Sequence, residues 1–233
     1  MIKTSVILCG GKATRFNNGK PGPLKPMLKI KGIPILNRII DIYIKSGVNK
    51  IILLGGYKFH ELKKIKLKKN NIKLIVLNTG LHTQTGGRLI YLKKVLKKNE
   101  LFFLTYGDSL TDFNPKRAYD FFLKKKGDYL ISYYKKKNNY GTLILNDKKK
   151  LLKKFFEKKK ETFVNAGFYI MNTNIIKFIL SKKESLEKTT IPNLLKLKKK
   201  IIVYKCNFWH PMDNDGDRVN LENFFLFANR FIK

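Results

Sequence analysis

The sequence has no apolar run long enough to cross a membrane. Its 233 residues are 43% hydrophobic, yet no stretch approaches the ~18 to 20 uninterrupted apolar residues that a spanning helix needs. The first residues, Met1-Ile2-Lys3-Thr4, lead directly into an apolar run and lack the layout of a signal peptide. We therefore expect a cytoplasmic protein without a membrane partner.

Cysteine and histidine are scarce, which excludes several kinds of site. The two cysteines, Cys9 and Cys206, lie in apolar runs without metal-ligand spacing, so we expect reduced core thiols rather than a disulfide. The three histidines share no spacing typical of a zinc site and form no recognisable triad. A calcium loop with Gly216 at its sixth position would begin at Pro211, which has no carboxylate.

Acidic residues and arginine are few in a chain that is otherwise strongly basic. There are 50 basic and 16 acidic residues, for a net charge of +34, but only six of the basic residues are Arg. Nucleic-acid sites usually concentrate Arg, whereas these lysines spread over almost every predicted helix face and turn. We therefore expect solvated lysines and no specific nucleic-acid partner.

A glycine loop after the first apolar run is the most informative segment. Cys9-Gly10-Gly11-Lys12-Ala13-Thr14-Arg15-Phe16 follows Ser5-Val6-Ile7-Leu8, and Lys25-Pro26-Met27 lies further on. The glycines let the main chain approach an anion, and Arg15 and Lys25 supply positive charge. Neither a Walker A loop nor a dinucleotide fingerprint fits. The segment predicts a phosphate-binding loop; a tight turn with a solvated lysine is the alternative.

Strands and helices alternate through the first half of the chain. Strands are predicted over Ser5–Cys9, Lys50–Gly55, Ile72–Leu77 and Leu101–Tyr106, and helices over Pro34–Ser46, a lysine-rich segment and Gly86–Leu96. From about Asp128 shorter strands follow, over Tyr129–Tyr134, Gly141–Leu145, Leu151–Phe156 and Phe163–Met171. This order predicts an α/β, Rossmann-like, doubly wound and mostly parallel sheet that the second half extends.

Further polar signals follow the predicted strands. Asp108 comes just after the fourth strand, and Asp213 follows Trp209-His210-Pro211-Met212. Mg²⁺ prefers oxygen ligands and often takes only one or two protein carboxylates, so these two are candidate ligands, with a helix cap or a solvated turn as alternatives. The loop from Thr79 to Arg88 has hydroxyls and paired glycines before a helix, a pattern that would let its backbone contact a base and its ribose. A capped helix with an exposed Arg is the alternative.

These segments resemble the sugar-phosphate nucleotidyltransferases, whose signature is Gly-Gly-x-Gly-Thr-Arg and then Lys-Pro-Met. The similarity is closest to the glucose-1-phosphate cytidylyltransferase family and covers nearly the whole chain. It is carried by the glycine loop and by Thr79-Gly80 with Gly86-Gly87-Arg88, Phe103-Leu104-Thr105-Tyr106-Gly107-Asp108, Phe163-Val164-Asn165-Ala166-Gly167-Phe168 and Phe208-Trp209-His210-Pro211-Met212-Asp213. That family makes CDP-glucose from CTP and glucose 1-phosphate on a Rossmann-like fold.

The resemblance implies a role for each matching residue. Catalytic roles fall to Arg15, Lys25 and Asp108, and Mg²⁺ binding to Asp108 and Asp213. Nucleotide binding is implied for Gly10, Gly11, Thr14, Arg15, Lys25, Thr83, Gly86, Gly87 and Arg88. Sugar-phosphate binding is implied for Gly141, Glu157, Lys158, Asn165 and Trp209. Because two carboxylates must serve one ion, we expect the loop after the fourth strand and the turn after Trp209 to meet.

The length and hydrophobic content predict a single domain, 1–233, and the change in strand pattern near Asp128 divides it into a nucleotide-binding half at about 1–127 and an acceptor-binding half at about 128–233. The partners that the resemblance implies are CTP and a sugar 1-phosphate, and a homo-oligomer is left open. The family usually has Thr after the second metal aspartate, where this chain has Asn214. Another base, a heptose 1-phosphate or another phosphate or phosphonate acceptor is the alternative within the class. A catalytically silent regulatory protein and a basic nucleic-acid-binding protein are the alternatives outside it.

Overall fold

The computed structural model describes residues 1–13, 20, 22–67, 69, 71–136, 142–146, 151–156 and 162–228. Its strands are β1 Thr4–Cys9, β2 Lys29–Ile30, β3 Ile33–Pro34, β4 Lys50–Gly55, β5 Lys73–Asn78, β6 Leu101–Tyr106, β7 Ser109–Thr111, β8 Tyr129–Lys136, β9 Thr142–Asn146, β10 Leu151–Phe156, β11 Thr162–Asn172, β12 Ile201–Cys206 and β13 Trp209–Pro211. Its α-helices are α1 Ile35–Lys45, α2 Phe59–Leu62, α3 Thr85–Arg88, α4 Pro115–Lys125, α5 Ile191–Lys196 and α6 Asp215–Ala228.

Seven strands form the central sheet, in the order β12-β8-β11-β6-β1-β4-β5. β1 pairs in parallel with both β4 and β6, β4 with β5, and β12 with β8. β11 is the exception, because it lies antiparallel between β6 and β8. The mostly parallel α/β sheet predicted from the sequence is therefore confirmed.

The sheet buries apolar side chains on both faces. Ile7 and Cys9 of β1 point into one core with helix α1, while Val6 and Leu8 point into the other. Successive side chains of a strand alternate between faces, so an uninterrupted apolar strand indicates a layer on each side. α1 buries Ile35, Leu36, Ile39, Ile40, Tyr43 and Ile44, a spacing that forms one stripe of a helix.

The helices predicted between β4 and β6 are short or irregular in the structure. Where a lysine-rich helix is predicted without bounds, the structure has the four-residue α2, and the predicted helix Gly86–Leu96 is α3 followed by a 3₁₀ helix over Leu89–Lys94. The structure also shows α4 and β12, which are not predicted from the sequence. Among the described helices, none has the length and apolar character needed to cross a membrane.

Candidate active site

Two short strands bring Asp108 and Asp213 to the same place. β7 begins one residue after Asp108, and β13 ends two residues before Asp213. These strands pair antiparallel with Pro211 opposite Ser109, and the Met212 N–H donates to the Asp108 carbonyl at 2.8 Å. The loop after β6 and the turn after Trp209 therefore meet.

The ammonium of Lys25 lies between these two carboxylates. Lys25 is buried, and its Nζ is 3.1 Å from Asp213 Oδ1 and 3.8 Å from Asp108 Oδ2. A short 3₁₀ helix, Lys25–Met27, holds its backbone. These two distances together set an upper limit on the separation between Asp213 Oδ1 and Asp108 Oδ2. This limit is below ~8 Å, the range over which two carboxylates can share one ion directly or through a water.

The pair of carboxylates fits a hard divalent cation. Mg²⁺ usually keeps several waters and takes one or two carboxylates plus substrate phosphates. Within the described ranges, no group of three or more His, Cys, Asp and Glu side chains is placed to hold a metal. Asp108 and Asp213 thus match an ion whose other ligands are water and phosphate.

A capping box fixes the backbone of Asp213 at the start of α6. The Asp217 carboxylate accepts hydrogen bonds from the N–H groups of Asp213 at 2.8 Å and Asn214 at 3.1 Å. In return Asn214 Oδ1 accepts from the Asp217 N–H at 2.9 Å. Each side chain accepts hydrogen bonds from backbone N–H groups that have no partner within the first turn of a helix. The Asn-x-x-Asp spacing is the sequence signal for this role, and it is not among the motifs predicted above.

A cavity of about 570 Å³ opens at the carboxyl ends of β1 and β6, a size typical of small-molecule sites. Ligands of parallel α/β sheets bind at this edge. Six residues of the predicted site line the cavity: Gly10, Gly11, Lys25, Thr83, Arg88 and Asp108. The cavity is also lined by four residues without a predicted role: Lys12, Gln84, Tyr106 and Gly107.

Cys9 and Gly107 form a closely packed part of the cavity wall. A Cβ on Gly107 would lie 2.9 Å from Pro26 Cγ and 3.0 Å from Cys9 Sγ, so only glycine fits there. Burial raises the pKa of the Cys9 thiol, Asp108 adds to the rise, and Arg88 opposes it. Because the thiolate is the nucleophilic form, this rise disfavours the reactive form of Cys9, which is buried in the cavity wall.

Arg88 lies beneath the glycine loop and donates to oxygens of the protein. Its NH1 donates to the Gly55 carbonyl at 3.0 Å, to Thr79 Oγ1 and to the Gly80 carbonyl at 3.3 Å. Its NH2 donates to the Gly10 carbonyl at 3.0 Å. Burial lowers the pKa of Arg88, against the effect of Cys9. A direct contact between Arg88 and a nucleotide stays a prediction.

The loop from Thr79 to Arg88, here called the nucleotide loop, holds further predicted residues that also contact protein. Thr83 Oγ1 donates to the Thr79 carbonyl. A Cβ on Gly87 would lie 2.2 Å from the Lys182 carbonyl oxygen, and one on Gly86 would lie 3.0 Å from the Glu184 carbonyl oxygen. The space beside these glycines is therefore filled by the segment from Lys182 to Thr190, and their contact with a nucleotide stays a prediction.

The predicted acceptor residues lie apart from this cavity or outside the described residues. Asn165 Nδ2 donates to Tyr169 Oη at 2.6 Å, and Asn165 Oδ1 accepts from the Gly167 N–H at 2.9 Å. Trp209 packs near Tyr134, with ring centroids 6.1 Å apart. Neither is among the described residues that line the cavity. Five predicted site residues lie outside the described residues: Thr14, Arg15, Gly141, Glu157 and Lys158.

A mostly parallel sheet with a glycine-lined cavity at its carboxyl edge defines an α/β protein whose cavity lies where such sheets bind their ligands. Comparison with known families makes the class specific, because the model of the nucleotidyl transferase family matches residues 4–209. The chain belongs to that family, and it is a nucleotidyltransferase. The enzyme class predicted from the sequence is thereby confirmed.

Two relatives and one solved structure illustrate what the chain is similar to. A glucose-1-phosphate cytidylyltransferase of Salmonella typhimurium is 26% identical over 94% of both chains. A D-glycero-alpha-D-manno-heptose 1-phosphate guanylyltransferase of Campylobacter jejuni is 29% identical over 88% of this chain and 92% of its own length. The structure of HddC from Yersinia pseudotuberculosis complexed with GMP-PN superimposes with a TM-score of 0.76 at 23% identity, over 96% of this chain and 100% of that one.

Proposed function

We propose that the protein transfers a cytidylyl group from CTP to a sugar 1-phosphate, with glucose 1-phosphate as the acceptor and CDP-glucose and pyrophosphate as products. One observation carries the reaction class: the Lys25 ammonium between Asp108 and Asp213, beside a glycine-lined cavity. The choice of CTP rests on similarity to the Salmonella typhimurium enzyme over 94% of both chains.

The proposed reaction needs positioning and charge rather than a protein nucleophile. A phosphate oxygen of the sugar 1-phosphate attacks the α-phosphorus of CTP in line, and pyrophosphate leaves. The acceptor phosphate is already ionised at neutral pH, so no general base is required. Gly10 and Gly11 receive the triphosphate, and Lys25 stabilises negative charge that develops on the α-phosphate. Arg15 and Lys158 are proposed to add positive charge beside the same phosphates.

Asp108 and Asp213 are proposed to hold a Mg²⁺ ion, which when bound neutralises phosphate charge. The two carboxylates lie on separate loops, fixed by the β7–β13 pair and by the capping box at Asp217. These contacts set the ligand positions before substrate arrives, so little reorganisation is needed when the phosphates bind.

Guanylyl transfer to a heptose 1-phosphate is the second candidate. Similarity to the Campylobacter jejuni relative favours it, because that match is 29% identical over 92% of the relative. The two relatives differ in both base and sugar, whereas the cavity residues that bind phosphates would serve either substrate pair.

Pyrophosphate release measured with CTP, UTP, GTP and dTTP against glucose, mannose and heptose 1-phosphates separates these candidates. We expect CTP with glucose 1-phosphate to give the highest kcat/KM, at least about tenfold above any other pair. A highest value for GTP with the heptose acceptor would replace the proposal by the second candidate. Turnover of no pair, in a folded sample that still binds nucleotide, would favour a silent regulatory protein.

A further inference from the structure

We propose that Arg88 is a positioning residue, which holds the phosphate-binding loop, at Gly10, and the nucleotide loop, at Gly80, at a fixed distance from each other. It acts on bound nucleotide through the backbone of Gly10 and Gly80, whose carbonyl oxygens accept from its two terminal nitrogens at 3.0 and 3.3 Å. This inference rests on the proposed function only in one respect, which is that the ligand is a nucleoside triphosphate.

The guanidinium joins the carboxyl ends of three neighbouring strands. Gly10 follows β1, Gly55 ends β4, and Thr79 follows β5, and these strands are adjacent in the sheet. A planar guanidinium presents its donors in a rigid fork, so it can hold several acceptors at fixed angles. A lysine in the same place would keep the charge but lose this geometry.

Two glycines leave the space that the guanidinium of Arg88 occupies. A Cβ on Gly10 would lie 2.1 Å from Arg88 Cζ, and a Cβ on Gly56 would lie 2.6 Å from Arg88 NH1. Arg88 thus occupies the space where side chains at these two positions would project. The loops and the arginine fit together as one unit.

The base of α3 is itself held from outside the cavity. The Gln84 N–H donates to the Lys182 carbonyl at 2.9 Å, and the Gly87 N–H donates to the Glu184 carbonyl at 3.0 Å. Thr85 Oγ1 accepts from the Leu186 N–H at 2.8 Å. The turn that carries Arg88 is therefore held in place by these hydrogen bonds. Because Arg88 in turn donates to carbonyls of both loops, it holds the two loops in a fixed position relative to the sheet.

The test uses two probes that need different parts of the site. Inorganic tripolyphosphate requires the phosphate-binding loop alone, whereas an intact nucleoside triphosphate must engage both loops at once. Affinities of Arg88→Lys and of the unaltered protein are measured by calorimetry for tripolyphosphate and for CTP, UTP, GTP and dTTP. Using whichever nucleotide the unaltered protein binds most tightly keeps this test independent of the proposed base preference.

For Arg88→Lys we expect the affinity for tripolyphosphate to stay within about twofold and that for the best nucleotide to fall about tenfold or more, because small misplacements of two coupled groups are costly. Full nucleotide affinity would overturn the proposal, since charge alone would then suffice. Equal losses for both probes would also overturn it, because they indicate a direct phosphate contact.

A milder variant and a control guard against unfolding. Thr79→Val removes one acceptor of Arg88 at a buried position, and we expect the same selective loss, about threefold or more. Arg38→Lys is the matched control, because Arg38 NH2 also donates to a backbone carbonyl, that of Ile30 at 2.8 Å, away from this cavity. Equal effects of Thr79→Val on the two probes would contradict the proposal even if Arg88→Lys does not fold.

Discussion

Lys25 and Asp213 are 188 positions apart in the chain, yet Lys25 Nζ donates to Asp213 Oδ1 at 3.1 Å. This contact joins the segment after the glycine loop to the turn that begins α6. The same ammonium lies 3.8 Å from Asp108 Oδ2. Three charged groups from three separate segments thus converge at one edge of the sheet, where the proposed chemistry requires them.

Removing the Lys25 ammonium should abolish most activity without unfolding the protein. We expect Lys25→Met to lower turnover by roughly 10² to 10³, because the charge that develops on the α-phosphate in the proposed reaction loses a stabilising cation. Steady-state pyrophosphate release and a melting curve measure the two effects. Lys29→Met, at an exposed position of β2, is the control, and near-normal turnover of Lys25→Met would show that the ammonium has no catalytic part.

The two carboxylates should act as one unit. Asp108→Asn and Asp213→Asn should each lower activity and raise the Mg²⁺ concentration needed for half-maximal rate. The double variant should cost much less than the two separate losses combined, because both changes disable the same ion. Rates measured across a Mg²⁺ series test this, with Asp120→Asn on α4 as the control. Additive losses would place the carboxylates at independent sites.

Strands were the most predictable part of the fold. β4, β6 and β10 have the predicted bounds because each is a run of residues favourable to strands between polar or turn residues. The antiparallel position of β11 was not predictable, since pairing partners far apart in sequence leave no local signal. Helix α4 did carry a signal, because Asn114 caps it, accepting from the Arg117 N–H at 3.0 Å, and Pro115 begins it.

The sequence predicts which residues belong to the site, but it does not predict which groups each of them contacts. Asp108 and Asp213 were identified because each follows a strand or turn at the ligand edge, and the structure brings them together. The resemblance to the sugar-phosphate nucleotidyltransferases implies that Arg88 contacts the nucleotide. Nothing in a linear pattern shows that the guanidinium meets carbonyl oxygens of Gly10, Gly55 and Gly80, since those contacts depend on the order of strands in the sheet.

The close packing at Gly87 gives a prediction about stability. An added Cβ would lie 2.2 Å from a backbone oxygen of Lys182, which cannot move aside as a flexible side chain can. We expect Gly87→Ala to lower the free energy of unfolding by about 2 kcal/mol or more, measured by urea denaturation. Gly11→Ala is the stability control, because nothing lies within 4 Å of a Cβ there. Equal stability of the two variants would mean that the segment near Lys182 packs elsewhere.

Glu100 links the amino ends of two strands, and its contribution to stability should depend on pH. Its carboxylate accepts from Lys97 N–H at 2.9 Å, Thr4 Oγ1 at 3.1 Å and Lys50 Nζ at 3.3 Å. Burial alone would raise the pKa of Glu100, but the Lys97 hydrogen bond and the Lys50 charge hold that pKa below its ordinary value. A carboxyl group whose pKa is lower in the folded state stabilises the fold above its unfolded pKa, and this stabilisation is lost as pH falls through the folded pKa.

Glu100→Gln should therefore lower the free energy of unfolding by about 1 kcal/mol at pH 7, and its deficit relative to the unaltered protein should shrink as the pH falls below the ordinary carboxyl range. Urea denaturation of both proteins at pH 7 and at steps down to about pH 3 measures the difference. Glu61→Gln on α2 is the control for loss of one carboxylate from a basic chain. A deficit that stays constant over this range would show that Glu100 acts through packing and neutral hydrogen bonds, because only the ionised carboxylate can lose its contribution on protonation.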